Sequence, residues 1–198
     1  MSVTKKNFED NGGDQENLNL NQKDNLVWLD MEMSGLDPNT CRILEIAIIV
    51  TDRDLNPLHK GIEFVLKQSD YFLDKMDDWN KTTHKNSGLI DKVKISSLEE
   101  QVVEERILDY LRQFVPAGAS PLCGNSIHQD RRFLRLYMPR LDAYFSYRNV
   151  DVSTIKELCK RWSPQVAKNF SKKGAHTAMA DTLESITELK FYRKNFIR

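Results

Sequence analysis

Three apolar segments follow a polar stretch at the start of the chain. Residues 26–29 form a short apolar run, and residues 43–50 form a longer one rich in β-branched side chains, so both predict buried strands. Ile62, Phe64 and Leu66 occupy alternate positions, which predicts a third strand with a more solvated face. The connections between the three are short, and this predicts an antiparallel meander.

The period becomes helical further along. Ser97-Leu98-Glu99-Glu100 has the pattern of a capping box, and apolar residues then recur at helical spacing from Val103 until Pro116. Short strands are predicted at 121–125 and 150–152, and helices at 130–137, at 154–162 and from Thr177 to about Lys194. Three strands followed by alternating helices and strands predict an α/β fold, a mixed sheet with helices on both faces.

Residues 1–24 differ from the rest of the chain in composition. They are polar, hold few apolar residues and include Gly12-Gly13, so we expect a disordered tail before a single domain, 25–198. No apolar region follows the lysines, which excludes a signal peptide. The tail is acidic and has no arginine, so it also fits a mitochondrial transit peptide poorly.

Charge and cysteine content narrow the functional class. The 198 residues carry equal numbers of basic and acidic side chains, 29 of each, which excludes a uniformly basic nucleic-acid-binding surface. Residues 131–148 nevertheless hold five arginines and one acid, which fits either solvated helix faces or a polyanionic substrate. The three cysteines are widely spaced, as expected of a cytoplasmic protein. No apolar run approaches the ~18 residues of a transmembrane helix.

Acidic residues supply the candidate chemistry. Asp30 and Glu32 are two positions apart at the end of a predicted strand and therefore share a sheet face, where a divalent cation would relieve their repulsion. Asp130 follows a strand-to-helix turn, and taken alone it fits a helix N-cap better than a metal ligand. His176 and Asp181 are five residues apart and cannot share a helix face. They converge only if His176 lies on a loop, and alone it fits a surface or capping histidine.

Together these residues resemble a known family. The order of an Asp-x-Glu pair, a distant Asp and a His-x4-Asp resembles DEDDh 3′→5′ exonucleases, which have a ribonuclease H-like fold. Four longer strings resemble the oligoribonuclease family more closely. They are DMEMSGLD at 30–37, MDDWN at 76–80, CGNSIHQDRRFL at 123–134 and YRNVDVST at 147–154. The resemblance runs from about Leu26 to the C-terminus. The tail has no place in it, and His128 stands where a small residue is expected.

The resemblance implies a metal-dependent nuclease. It implies that two Mg²⁺ or Mn²⁺ ions are held by Asp30, Glu32, Asp130 and Asp181, and that His176 takes a proton from the attacking water. An unperturbed histidine titrates at about 6.5, close to working pH, as a general base requires. The implied substrate is very short RNA, dinucleotides above all, and the implied products are 5′-mononucleotides.

The resemblance also implies the residues that bind RNA. Leu36 and Trp79 would stack on the two bases, and His84 would line the site. Ser126, Arg148, Ser153 and Thr154 would bind the 5′-phosphate. The implied assembly is a homodimer in which Tyr147 and Arg148 complete the neighbouring site. Without the resemblance, Trp79 fits a core position as well, and Tyr147 fits a sheet position.

Two other functions stay open from the residues alone. One is an exonuclease of the same superfamily that acts on longer chains, such as a DNA proofreading subunit. The strings at 77–79 and 147–148 argue against it. The other is a nucleic-acid-binding module whose metal site is dead, which would be favoured if one of the four carboxylates were missing.

Overall fold

The computed structural model describes residues 22–171 and 176–197. Most of the predicted tail, residues 1–21, lies outside the described residues. Its last three residues, 22–24, form a short turn that leads into the first strand.

A five-stranded mixed sheet forms the centre of the described structure. Its strands are β1 (Leu26–Met33), β2 (Ile43–Thr51), β3 (Ile62–Val65), β4 (Leu122–Gly124) and β5 (Asn149–Asp151), in the order β3-β2-β1-β4-β5. The first three strands pair antiparallel, which confirms the predicted meander. β4 joins the other edge of β1 in parallel, and β5 pairs in parallel with β4. The predicted α/β fold class is confirmed.

Nine helices connect or follow these strands within the described residues. They are α1 (Asp70–Asp74), α2 (Asp78–Asn86), α3 (Leu89–Ile95), α4 (Glu100–Leu111), α5 (His128–Tyr137), α6 (Pro139–Tyr144), α7 (Val152–Trp162), α8 (Pro164–Ala167) and α9 (Ala178–Asn195). The apolar spacing predicted α4, α5, α7 and α9. It did not predict the five shorter helices, which have too few turns to show a period.

Two predicted boundaries are wrong. The capping box at Ser97 does not form, because the helix begins at Glu100 with Glu99 in the N-cap position. The chain stays extended through Leu98, whose carbonyl oxygen accepts a hydrogen bond from the Lys67 amide at 2.7 Å. Val152, predicted to end a strand, is instead the first residue of α7, with Asp151 as its N-cap.

Alternation along β1 decides which side chains face which helices. Val27, Leu29 and Met31 belong to the larger apolar core, which also contains residues of α4, α5 and α6. Trp28 belongs to a second core on the opposite face, together with Cys159 of α7 and Tyr192 of α9. Asp30 and Glu32 continue the Trp28 side, since successive side chains of a strand point to opposite faces. Both carboxylates are therefore directed toward α9.

None of the helices in the described residues combines the length and the apolar character needed to cross a bilayer.

Candidate active site

Three of the predicted carboxylates converge at the end of β1. Asp30 and Glu32 come from the strand, and Asp181 comes from the first turn of α9. One ligand atom from each of the three lies within 4.8 Å of the others. This spacing allows the three carboxylates to hold one cation or share two.

Two further acidic residues position α9 over the strand. The buried Glu45, which faces Glu32 across the β1–β2 ladder, accepts a hydrogen bond from the Ala178 amide at 2.9 Å. Glu63 of β3 accepts one from the Met179 amide at 3.3 Å. Free amides at a helix N-terminus attract negative groups, so these contacts hold the end of α9 that carries Asp181. Sequence reasoning missed Glu45, although a charge inside the apolar run 43–50 was a visible signal.

Asp130 lies close enough to Glu32 to feel its charge, but it is not one of the three carboxylates whose ligand atoms lie within 4.8 Å of one another. β4 ends at Gly124, so the edge of β1 continues beyond its parallel partner. Asp130 of α5 reaches this edge, and its Oδ1 accepts a hydrogen bond from the Met31 amide at 3.0 Å. Asp130 is therefore not the N-cap of α5, a position that Ile127 occupies. Burial, with the negative charge of Glu32, raises the pKa of Asp130 above its ordinary value.

The electrostatics of the group fit a divalent cation. Burial, followed by the nearby charges of Asp181 and Glu45, raises the pKa of Glu32 from 4.5 to about 7. A carboxyl whose pKa is raised in this way is one whose charged form lacks sufficient compensation. The donors are all carboxylate oxygens, which hard divalent cations prefer. Asp30, Glu32 and Asp181 therefore fit a divalent metal centre, and Asp130 lies beside them.

The raised pKa predicts how stability changes with pH when metal is removed. Between about pH 4.5 and 7, folded Glu32 keeps a proton that the unfolded chain has released. The free energy of unfolding in EDTA should therefore fall as pH rises through this window, by roughly 3 kcal/mol. Denaturant unfolding at a series of pH values measures it. Glu32→Gln should remove this contribution and leave the part of the fall that the raised pKa values of Asp130 and Glu45 cause. Exposed Glu99→Gln should keep the whole fall, and an equal slope in both variants would contradict the assignment to Glu32.

His176 contacts Trp79 at the start of α9, and Trp79 and Leu36 are both exposed apolar side chains. His176 directly precedes Thr177, the N-cap of α9, and has the left-handed φ of 50°. Its ring meets that of Trp79 edge to face, with 6.2 Å between centroids. Trp79 is 64 % exposed on the first turn of α2, and Leu36 is 67 % exposed in the loop after β1. Such exposure is costly for a tryptophan in a folded chain, and it leaves the ring face open to a base.

His84 has a different environment from the one expected. It is 1 % exposed, and its Nε2 donates to the Met33 carbonyl oxygen at 3.0 Å. Its Nδ1 lies 3.8 Å from Glu32 Oε2. Burial lowers the pKa of His84, which favours a neutral ring. His84 thus supports the end of β1 beneath the carboxylates and does not line an open surface.

The predicted phosphate-binding residues are only partly brought together. Ser126, Ser153 and Thr154 line one surface groove of about 400 Å³. The Ser126 amide donates to Ser153 Oγ at 2.9 Å, and the Ser153 hydroxyl donates to Asn125 Oδ1 at 3.0 Å. His128 lines the same groove, with Nδ1 3.5 Å from Asp151 Oδ2. Among the described residues that line it, neither Tyr147 nor Arg148 is found.

Tyr147 and Arg148 project from the segment between α6 and β5. Tyr147 is 78 % exposed, and the Arg148 guanidinium stacks 4.4 Å above its ring. This pair has the composition of a contact surface, because tyrosine and arginine are the residues enriched at interfaces.

The comparisons with known proteins agree with this geometry. A family model described as Exonuclease matches residues 27–189. An oligoribonuclease of Ralstonia nicotianae is 60 % identical over 174 residues, which are 88 % of this chain and 80 % of that protein. The chain belongs to the oligoribonuclease family. Another member, from Neisseria meningitidis serogroup A, is 54 % identical over 90 % of this chain and 95 % of its own length. The family resemblance of the sequence strings is thereby confirmed.

The chain also resembles solved structures in its fold. The zinc-bound complex of E. coli exonuclease I with single-stranded DNA superposes with a TM-score of 0.69 at 18 % identity. It covers 88 % of this chain, which spans only 41 % of the exonuclease I chain. Exonuclease I of Methylocaldum szegediense gives 0.66 at 20 % identity. The ribonuclease H-like architecture predicted for the family is therefore the one observed.

Proposed function

We propose that this protein is a 3′→5′ exoribonuclease that hydrolyses very short RNA, above all dinucleotides, to 5′-mononucleotides. The observation that carries the proposal is the convergence of Asp30, Glu32 and Asp181 oxygens within 4.8 Å of one another. The oligoribonuclease relatives, up to 60 % identical among those named above, support the choice of RNA as substrate.

Each residue of the site has a separate role in the proposed reaction. Asp30, Glu32, Asp130 and Asp181 would hold two divalent ions, Mg²⁺ or Mn²⁺. Such ions, when bound, stabilise the charge on the attacking and leaving oxygens of the phosphodiester. Water attacks phosphorus, the P–O3′ bond breaks, and the imidazole of His176 takes the proton of the attacking water. The released nucleotide keeps its 5′-phosphate, and the leaving O3′ takes a proton from solvent, so the shortened chain ends in a 3′-hydroxyl.

Substrate length would be set by the two ends of the site. Leu36 and Trp79 would sandwich the bases without reading their sequence, because every base presents a π-face. Ser126, Ser153 and Thr154 would receive the 5′-phosphate in the groove, with Arg148 as a charged partner. A site closed by a phosphate contact at one end and by base stacking at the other would bind a dinucleotide fully and gain no contacts from further nucleotides.

Cleavage efficiency should therefore decrease from a dinucleotide to longer RNA. A Mg²⁺ assay on 5′-labelled RNA of two to twenty nucleotides measures kcat/KM for each length. Equal efficiency on the dinucleotide and the twenty-nucleotide RNA would favour an exonuclease for longer substrates.

In the same assay Arg148→Ala should weaken binding of a 5′-phosphorylated dinucleotide more than that of its unphosphorylated form. Arg140→Ala, an exposed arginine paired with Glu105, is the matched control and should weaken neither.

The exposed Tyr147 and Arg148 support a homodimer. In a two-fold dimer the same patch is used twice, so Tyr147 and Arg148 of each protomer would complete the site of the other. In such a dimer Arg148 would reach the groove of the neighbouring protomer, although it does not line the groove of its own chain among the described residues.

Mixing two inactive variants tests this arrangement. Tyr147→Ala and Asp30→Asn should each be weak or inactive alone. In a mixed dimer the intact Asp30 site receives an intact Tyr147 from its partner, so one working site should reappear. Differently tagged chains confirm the subunit exchange. Mixed dimers that stay at the level of the separate variants would contradict a shared site.

A further inference from the structure

A buried arginine grips the backbone on both sides of Tyr147. Arg131 of α5 is 6 % exposed and makes four hydrogen bonds. Nη2 donates to the Ser146 carbonyl oxygen at 2.8 Å, and Nη1 donates to the Arg148 carbonyl oxygen at 3.0 Å. Nη1 also donates to Asn149 Oδ1 at 2.7 Å, and Nε donates to Asp142 Oδ1 at 2.9 Å. The fork of the guanidinium thus bridges α6, the connecting segment and β5.

The same segment is held from its other side by backbone contacts. The Ser146 amide donates to the Ser120 carbonyl oxygen at 2.8 Å, and the Leu122 amide donates to the Arg148 carbonyl oxygen at 3.2 Å. Tyr147 stands between these fixed points, yet its side chain is 78 % exposed. Burying a guanidinium is costly unless its donors are satisfied. Here the donors of Arg131 bind the segment whose central side chain, Tyr147, is exposed to solvent.

A rigid backbone beneath an exposed aromatic side chain is the arrangement of a pre-organised contact. Ordering a loop on association costs free energy, and a loop already held in its bound shape avoids that cost. Rigid tyrosines on such loops are typical anchors of interfaces. The hydrogen bonds of Arg131 therefore fix the backbone around Tyr147 in a shape that suits binding to a partner.

We infer that Arg131 is a positioning residue that holds Tyr147 and Arg148 in place for the site of the neighbouring protomer. This inference rests on the homodimer of the proposed function. Because the segment around Tyr147 would complete the site of the other chain, a substitution of Arg131 should lower activity at the metal site of the partner protomer. A role confined to its own chain, through the adjacent Asp130 or through folding, predicts the opposite location of the defect.

Two heterodimers of differently tagged chains separate these roles, with Arg131→Lys as the test variant. Lysine keeps the positive charge beside Asp142 but cannot span the acceptors that the planar fork reaches. The first heterodimer pairs an Arg131→Lys chain with an Asp30→Asn chain. Its one intact metal site lies in the Arg131→Lys chain and receives the segment from a chain with intact Arg131. The second pairs an unaltered chain with an Arg131→Lys, Asp30→Asn double variant, whose displaced segment meets the one intact site.

The reference is a heterodimer of an unaltered chain with an Asp30→Asn chain. We expect the first heterodimer to match its kcat/KM on a dinucleotide and the second to fall about 10- to 100-fold, the effect of a contact misplaced by about 1 Å. Equal values in the two heterodimers, or a loss confined to the first, would overturn the inference. Failure of the reference itself to form a dimer would overturn the homodimer and the inference with it.

Arg135→Lys is the matched control. Arg135 lies one turn further along α5 and shares Asp142 with Arg131, through Nε at 3.4 Å from Oδ2. When Arg135→Lys replaces Arg131→Lys in the second heterodimer, activity should stay unchanged, since Arg135 pairs with Asp142 and is largely exposed. If Arg131→Lys fails to fold, Asn149→Ala removes one of the four bonds and should give a smaller loss with the same trans pattern. A cis pattern for Asn149→Ala would overturn the inference as well.

Discussion

Asp30→Asn should abolish RNA hydrolysis in Mg²⁺ while the protein remains folded, and this is the largest effect that we expect of a single substitution. Asp30 is one of the three carboxylates whose oxygens lie within 4.8 Å of one another, and its strand also carries Glu32. An amide is a weaker ligand for a hard cation and carries no charge to offset it. The remaining carboxylates then cannot hold the metal centre in working order.

The same substitution should leave stability unchanged or raise it. Without metal, negative charges crowd the end of β1, as the raised pKa of Glu32 shows. Removing one of them relieves repulsion at the cost of a small change in hydrogen bonding. Thermal unfolding in EDTA and hydrolysis of a dinucleotide in Mg²⁺ measure the two effects. Asp109→Asn, on the exposed side of α4, is the control and should keep full activity.

One result would contradict the metal assignment, and a second would require a different variant to test it. Full activity of the unaltered protein in EDTA would exclude a metal-dependent reaction. Loss of activity in Asp30→Asn together with loss of folding would show that Asp30 has a structural role, and the metal site would then need another variant such as Asp181→Asn.

The second largest effect concerns His176. His176→Ala should lower kcat roughly 10²- to 10⁴-fold, the range for a positioned general base. KM should change little, because Trp79 and Leu36 remain to stack on the bases. His176 directly precedes Thr177, the N-cap of the helix that carries Asp181, and its ring contacts that of Trp79. Single-turnover hydrolysis at saturating dinucleotide measures the chemical step.

His59→Ala is the control for the loss of an imidazole ring near the surface. His59 packs against the rings of Tyr110 and Phe114, and His59→Ala should keep kcat. If His176→Ala retains the rate of the unaltered protein at saturating substrate, His176 has no part in proton transfer. If it raises KM and keeps kcat, the ring contributes to binding through its contact with Trp79.

Local patterns were sufficient for much of the fold. Strand runs and their short connections predicted the meander because alternation and connection length are properties of neighbouring residues. The same period placed Asp30 and Glu32 on one face, and the five-residue spacing placed His176 ahead of the helix that carries Asp181. Both placements are the ones observed. The short helices α1, α2 and α3 were not predicted, since a few turns packed on a neighbour need no strong period of their own.

Contacts between distant segments were beyond the sequence. Asp130 was open between an N-cap and a ligand, and only the early end of β4 shows that it reaches the edge of β1. His84 was expected to line the site, and only the packing of α2 shows that it supports Glu32 from below.

The sequence by itself determined the strands, the pairing of Asp30 with Glu32 on one face of β1 and the family, because these depend on residue type and on spacing within single elements. The tertiary structure alone decided that Glu45 holds the start of α9 and that Arg131 grips the segment around Tyr147. Each of these bonds joins residues separated in the chain but adjacent in space, and a hydrogen bond requires its two atoms within about 3 Å of each other. That distance is set by how the sheet and helices pack, which no local pattern in the chain specifies.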